Sequence, residues 1–123
     1  MTSVREGARV WLVPDGFIPE GSTGAHESHE AICVLNTSAE QARLSISFYF
    51  EDRAPLKDVV VTVPPERTRH IWTDKIEGVQ IPRGVPYALR IESSVPITVQ
   101  CSRMDTTQAA LSLMTAMAYP VER

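Results

Sequence analysis

Short segments in which apolar residues alternate with other residues, separated by turns, constrain the fold of this chain most. In residues 44–50 every second residue is leucine, isoleucine or phenylalanine, and residues 59–63 and 87–91 repeat this spacing with other apolar residues. Because side chains two apart on a β-strand lie on the same face, each segment has one face suited to a core. Turn sequences such as Pro14-Asp-Gly16 and Pro64-Pro65 separate the segments. We therefore predict an all-β fold, an antiparallel sandwich or barrel.

Length and charge restrict the function classes. A chain of 123 residues is the size of one domain, which we expect to span residues 1–123. The formal net charge of −3, with both signs scattered along the chain, argues against nucleic acid as a partner. The N-terminal residues lack the apolar segment of a secretory signal, and the apolar runs are too short to span a membrane. We expect a soluble, cytoplasmic protein.

Two further segments carry specific expectations. In residues 30–35 apolar side chains occupy both odd-numbered and even-numbered positions, that is, both parities of a strand. This pattern predicts a strand covered on both faces. Residues 108–119 are rich in alanine, leucine and methionine, whose intrinsic propensity favours a helix. The same segment places apolar residues at 111, 113, 117 and 119, which is strand spacing. We favour a strand here and keep a helix as the alternative.

The two cysteines, Cys33 and Cys101, lie inside apolar strand-like runs and not in loops. In a reducing compartment such cysteines behave as small buried apolar residues, so we expect reduced, slowly reacting thiols and no disulfide. The chain has no Cys-x-x-Cys pair that would indicate a zinc or redox motif.

Residues 94–105 combine apolar alternation with charge. Ile97, Val99 and Cys101 share one parity, and Arg103 and Asp105 continue it. Buried charges are costly unless they are paired and hydrogen-bonded. This end of the strand should therefore hold either a structural ion pair or a polar pocket.

Sequence motifs for catalysis and metal binding are missing. The chain has no glycine-rich phosphate loop, no Gly-x-Ser-x-Gly and no His-Glu-x-x-His motif. His26 and His29 are three residues apart, which on a strand directs them to opposite faces. We therefore predict no metal and no cofactor. A metal held by His29, Glu30, His70 and Asp105 through the fold stays open as an alternative.

Several segments, spread nearly from end to end, together form a recognisable pattern. They are Trp11 with Gly16 to Pro19, Ser28-His-Glu30, Cys33-Val-Leu-Asn36, Val63-Pro64, Arg67-Thr-Arg-His70, Ser94-Val-Pro-Ile97, Val99-Gln100, Arg103, Asp105, Gln108 and Ala118-Tyr119. This pattern resembles the bacterial sensory rhodopsin transducer family. The resemblance implies a small soluble cytoplasmic protein with an antiparallel β-sandwich similar to carbohydrate-binding folds, assembled as a homotetramer. It also implies a microbial rhodopsin as a partner, and ligand binding has been proposed for the wider family.

The polar residues in these segments form the candidate ligand-binding set. Arginine presents a planar fork suited to carboxylate or phosphate, and carboxylates and amides pair with hydroxyls. A small hydroxylated or anionic ligand would fit such a set, and a structural ion-pair network is the rival interpretation. We expect Arg67, His70, Arg103, Asp105 and Glu30 to meet at one end of the sandwich. The full set is His29, Glu30, Asn36, Arg67, His70, Gln100, Arg103, Asp105 and Gln108.

Three functions remain open at this point. The first is a non-enzymatic, oligomeric binding or signalling module for a small polar, sugar-like or anionic ligand. The second is a cytoplasmic adaptor that docks on a microbial sensory rhodopsin or another membrane receptor. The third, with least support, is an enzyme acting on a sugar-like substrate, with His70 or Glu30 as general base.

Overall fold

The computed structural model describes residues 4–121. The regular secondary structure of this part consists of β-strands and one short 3₁₀ turn, joined by loops. The all-β prediction is therefore confirmed. The elements are β1 (Ala8–Gly16), β2 (His29–Asn36), β3 (Ala42–Phe50), β4 (Leu56–Val63), β5 (Arg67–Trp72), the 3₁₀ turn (Thr73–Lys75), β6 (Tyr87–Asp105), β7 (Ser112–Met117) and β8 (Tyr119–Val121).

Strand β6, which is 19 residues long, joins the two layers of the sandwich. Its first half pairs antiparallel with β1 and β3, and its second half pairs antiparallel with β2 and β7. We call the layer in the order β4-β3-β6-β1-β8 sheet A, and the layer in the order β5-β2-β6-β7 sheet B. A strand that passes from one layer to the other forms a corner of the sandwich.

The core lies between the two sheets and is built from the predicted alternations. Leu44, Ile46 and Phe48 of β3 are fully buried, and Ile32 and Val34 of β2 oppose them from sheet B. Burying each such side chain contributes about 1.5–3 kcal/mol to the free energy of folding. The face of each strand that carries these apolar residues is therefore the face that points inward.

Two local expectations are corrected by the structure. The outward side of β2 is not covered by another layer of the described chain, so Leu35 is 44% exposed and Cys33 is half-buried. Cys101 is half-buried as well, and both thiols are free. In the loop after β1, Ile18 is fully buried and packs into the core.

The C-terminal segment forms strand β7, as favoured from its parity. Pairing with β6 decides this against helix propensity, since six successive residues of β7 find partners there. Within residues 4–121, no helix has the length and apolar character needed to cross a membrane.

Candidate functional site: a buried rim cluster and an uncharged sheet face

Glu30 lies at the centre of a polar cluster at one rim of the sandwich and is 1% exposed. Antiparallel pairing of β2 with β6 places Glu30 opposite Arg103, whose Nε donates to Glu30 Oε2 at 3.0 Å. The Tyr87 hydroxyl donates a short hydrogen bond to Glu30 Oε1. The Phe17 backbone N–H donates to both carboxylate oxygens, at 3.1 and 3.2 Å. The carboxylate therefore accepts hydrogen bonds from two residues of β6 and from the loop after β1.

Thr73 completes what we call the rim cluster, the set Glu30, Thr73, Tyr87 and Arg103. Its hydroxyl lies 2.9 Å from the Tyr87 oxygen. Because the phenol proton goes to the carboxylate, the threonine hydroxyl donates to the phenol oxygen. The cluster thus links β2, β6 and the 3₁₀ turn through side chains that are hydrogen-bonded to one another, as buried polar groups require.

Arg103 follows the inward parity of β6, as predicted, and its side chain is 19% exposed. Besides Glu30, its Nη2 lies 3.4 Å from the Asp15 carbonyl oxygen and 3.7 Å from the Asp15 carboxylate. The guanidinium carbon is 5.8 Å from the centre of the Phe17 ring, within cation–π range. Arg103 therefore bridges the buried carboxylate and the solvent-exposed end of β1.

Burial dominates the electrostatics of the cluster. Desolvation raises the pKa of the Glu30 carboxyl, although the hydrogen bonds from Tyr87, Arg103 and Phe17 and the charge of Arg103 act to lower it. Desolvation and the neighbouring Glu30 charge also raise the pKa of Tyr87 well above its ordinary range. The same two causes raise the pKa of the Cys101 thiol to about 12. Tyr87 and Cys101 therefore stay protonated and have the character of structural groups.

A second arginine, Arg83, holds the long β1–β2 loop onto the rim. Its Nη1 donates to the carbonyl oxygens of Pro19, at 3.1 Å, and Ser28, at 2.9 Å. Its Nη2 reaches the carboxylates of Glu27, at 2.9 Å, and Asp74, at 3.0 Å. Arg83 therefore fixes both the start and the end of this loop beside the rim cluster.

The expected five-residue cluster forms only in part. Glu30 and Arg103 meet, but Arg67 pairs in register with Asn36, six residues along β2 from Glu30. At the rise of a strand this is a separation of about 20 Å. His70 lies opposite Cys33, on the outward side of sheet B. The expectation is wrong for Arg67 and His70 because the β2–β5 register carries them away from the rim.

Asp105 lies near the rim, but its carboxylate is hydrogen-bonded within its own turn. Its Oδ1 accepts hydrogen bonds from the Thr107 N–H, at 2.9 Å, and the Thr107 hydroxyl, at 2.6 Å. These bonds, and to a smaller extent the charge of Arg103, lower the pKa of Asp105. The carboxylate partners of Arg103 are Glu30 and Asp15, so the expected Arg103–Asp105 ion pair is not formed.

The remaining members of the candidate set are dispersed. The Asn36 side chain is buried and closes a turn, donating to the carbonyl oxygens of residues 40, 63 and 64. Gln108 is exposed in the loop before β7. His29 stacks on Trp72, with ring centroids 3.6 Å apart, and Gln100 lies opposite Cys33. His29, His70 and Gln100 therefore belong to the outward side of sheet B and not to the rim cluster.

The outward side of sheet B contains no lysine, arginine, aspartate or glutamate at the positions that the register assigns to it. Charged residues make up 22% of the chain, so a sheet face without any is a distinct surface feature. We call this surface the outer face of sheet B. Its residues are Thr68, His70, Trp72, His29, Ala31, Cys33, Leu35, Thr98, Gln100, Ser102, Met104, Leu113, Thr115 and Met117.

Sequence reasoning missed Tyr87 and Thr73 as members of the rim cluster. Tyr87 opens the inward parity of β6, and a buried tyrosine needs a partner for its hydroxyl, which was the available signal. Thr73 carried no such signal, because its position depends on the turn after β5. Among residues 4–121, no three His, Cys, Asp or Glu side chains lie close enough together to hold a metal ion.

These features define a small antiparallel β-sandwich with an internally paired rim cluster and one open, uncharged sheet face. The family described as Anabaena sensory rhodopsin transducer matches residues 6–120. The chain belongs to this family. No curated protein sequence matches the chain significantly.

Two solved structures are similar over most of the chain. The crystal structure of Thermotoga maritima 1070 has 40% sequence identity and a TM-score of 0.87, covering 96% of this chain and 98% of that one. The Anabaena sensory rhodopsin transducer has 34% identity and a TM-score of 0.74, covering 86% of this chain and 96% of that one. The sandwich is thus shared with a protein described as a transducer.

Proposed function

We propose that this chain is a non-enzymatic, cytoplasmic adaptor subunit that docks on a membrane receptor of the microbial sensory rhodopsin type. Membership of the transducer family supports this function. The observation that carries the proposal for this particular chain is the outer face of sheet B.

The outer face of sheet B has the composition of a protein-docking surface. Partner surfaces are depleted of charge at their centre, because each buried charge must be desolvated. Leu35 is 44% exposed here. Strand β2 is apolar on both parities, a pattern typical of strands covered on both faces. A receptor domain seated on this face would supply the missing cover.

The rim cluster supports an adaptor more than a ligand-binding module. Both Glu30 oxygens already accept hydrogen bonds from within the chain. A sugar-like or anionic ligand would have to displace those donors. The second candidate, a small polar or anionic ligand at the rim, is favoured by one observation, the partial exposure of Arg103 with its Nη2 only loosely held by Asp15.

Binding to a sensory rhodopsin in lipid nanodiscs tests the adaptor function. Leu35→Lys places a charge on the outer face of sheet B, and we expect it to weaken binding by at least roughly tenfold. Val60→Lys is the matched control, since Val60 is 45% exposed on β4 of sheet A, and it should leave the affinity unchanged.

Three results would overturn parts of this proposal. Failure of the folded wild-type chain to bind the receptor contradicts the adaptor function. Equal binding by both lysine variants contradicts the assigned surface. Saturable binding of a sugar or sugar acid that Arg103→Ala abolishes and Leu35→Lys does not would favour the ligand-binding alternative.

We also propose that the adaptor is a homo-oligomer, a tetramer as the family resemblance implies. The exposed side chains of Met114, Met117 and Tyr119 support this, since a single chain leaves them 52%, 61% and 66% exposed. Sedimentation of the wild-type protein at micromolar concentration should give one discrete mass above that of the 13.6 kDa chain. A monomer would contradict the proposal.

A further inference from the structure

One open side of the sandwich lies between β4 of sheet A and β5 of sheet B. These strands follow one another in the chain but belong to different sheets, and within the described residues each pairs with one neighbour only, β4 with β3 and β5 with β2. Between them is a cleft of about 850 Å³, a size typical of ligand sites. We call it the β4–β5 cleft, and residues 58–62, 69–72 and 75–79 line it. Two strand edges therefore border one accessible space.

The floor of the β4–β5 cleft is apolar. Val61, Ile71 and Val79 are buried in the core, and Val59 and Ile76 are half-buried against it. All five side chains are β-branched, the kind that packs well against a further strand. The half-buried pair marks the place where the described chain leaves its core partly open. An occupant that brings apolar side chains into the cleft would complete this burial.

The two edges differ in how open they are to a further strand. Strand β4 carries Lys57, and Asp58 has a left-handed φ of 61° within a break in the β3–β4 register. The Arg69 guanidinium also reaches across from β5 and donates to the Thr62 carbonyl oxygen of β4 at 2.6 Å. Bulges and charges of this kind block strand addition. Strand β5 has no proline and a regular register, and its residues 67–70 are exposed. The edge that can accept a strand is therefore β5.

Arg69 sets the chemistry of the occupant. The register of β5 on β2 places it on the inward parity, beside the apolar floor. Its hydrogen bond to Thr62 uses Nη1, and no carboxylate of the described chain pairs with it. The other charged residues of the cleft lie on β4 or beyond the end of β5, namely Asp58, Lys75 and Glu77. An inward-pointing charge on an edge strand discourages unselective pairing. A carboxylate opposite Arg69 can form a bidentate pair with it, so this charge selects acidic segments.

We propose that the β4–β5 cleft binds an extended, acidic peptide segment of another protein, which adds antiparallel to β5 as a further strand of sheet B. The segment places an apolar side chain opposite Ile71 and a glutamate or aspartate opposite Arg69. Backbone hydrogen bonds to β5 supply affinity, and these two alternate side chains supply selectivity. The site goes beyond the proposed docking on the outer face of sheet B and does not depend on it.

Fluorescence anisotropy with designed peptides tests the charge selection. The acidic probe is dye-labelled Thr-Val-Thr-Val-Thr-Glu-Thr, and the basic probe has lysine in place of glutamate. The wild-type protein should bind the acidic probe at least roughly tenfold more tightly than the basic one. Arg69→Glu should reverse this preference, a result that a loss of folding could not produce. Arg43→Glu is the matched control, since it makes the same charge change at an exposed position of β3 in sheet A, and it should keep the wild-type preference.

Amide hydrogen exchange of the wild-type protein locates the bound peptide without any variant. With the acidic probe bound, the amides of residues 67–72 should exchange more slowly, whereas those of β7, at the opposite edge of sheet B, should be unchanged. Absence of binding, equal affinity for the two probes, or a preference that survives Arg69→Glu would overturn the acidic-peptide site. Binding that leaves the β5 amides unprotected would contradict strand addition.

Discussion

Removing the guanidinium of the rim cluster should destabilise the fold in a way that depends on pH. In Arg103→Ala, the Glu30 carboxylate loses the Nε–H that lies 3.0 Å from Oε2, while the donors from Tyr87 and Phe17 remain. Stripping one partner from a buried ion pair costs about 3–5 kcal/mol. The remaining donors and the 19% exposure of Arg103 place the loss at the lower end, about 3 kcal/mol.

The pH dependence follows from the pKa of Glu30. Burial raises this pKa above its ordinary value, so the unfolded chain releases the proton at a lower pH than the folded chain. The stability that goes with the bound proton is therefore present below the unfolded pKa and is lost as the pH rises through the raised one. Without Arg103 the pKa rises further, so the loss deepens and extends to higher pH. The difference between wild type and variant should be largest near about pH 8 and smallest near about pH 4.

Thermal melts followed by circular dichroism measure the effect. A loss of about 3 kcal/mol corresponds to a fall in Tm of roughly 10 °C for a domain of this size. Arg53→Ala is the matched control, because Arg53 pairs with Asp52 on the surface, and its melting curve should stay in place. Glu30→Gln combined with Arg103→Ala should recover part of the lost stability, since no buried charge is then left without a partner. A fall below about 2 °C, or one that is the same across the pH range, would refute the reasoning.

Three further outcomes are expected. In the native protein Cys33 should react with a maleimide well before Cys101, whose thiol pKa is raised to about 12; similar rates, compared by mass spectrometry of the labelled peptides, would contradict this. Tyr87→Phe should lower the stability by about 1–3 kcal/mol in urea unfolding, because the buried carboxylate loses a donor, and an unchanged midpoint would count against that bond. Gly7→Ala should destabilise the protein, since Gly7 has a φ of +84° and an added Cβ would overlap the Ile97 carbonyl oxygen, and a wild-type melt would exclude this close approach.

The strands could be predicted from sequence because the alternation of apolar and other residues that marks a strand is visible within a few consecutive residues. The alternation in residues 44–50 specifies both β3 and its inward face, and the parity of β6 correctly directs Arg103 inward. The partner of Arg103 could not be predicted in the same way. Its pairing with Glu30 depends on the register between β2 and β6, which are separated by some fifty residues of chain that contain three other strands.

The placement of Arg67 and His70 failed for the same reason. Both follow the break at Pro64-Pro65, but the register of β5 on β2 decides which end of sheet B they reach. The second apolar parity of β2 predicted cover on both faces, and that expectation is wrong for residues 4–121. The described chain does not cover that surface, so the pattern corresponds, in our proposal, to a contact with another molecule.

The reactivity of Cys33 tests the docking proposal most directly, because its thiol lies in the middle of the outer face of sheet B, between His70 and Gln100. The rate of maleimide labelling is measured with and without a membrane-embedded microbial sensory rhodopsin. Val60→Cys on sheet A reports general shielding by the membrane. We predict that the receptor slows labelling of Cys33 severalfold and leaves position 60 unchanged. Unchanged labelling of Cys33 at saturating receptor would contradict the account.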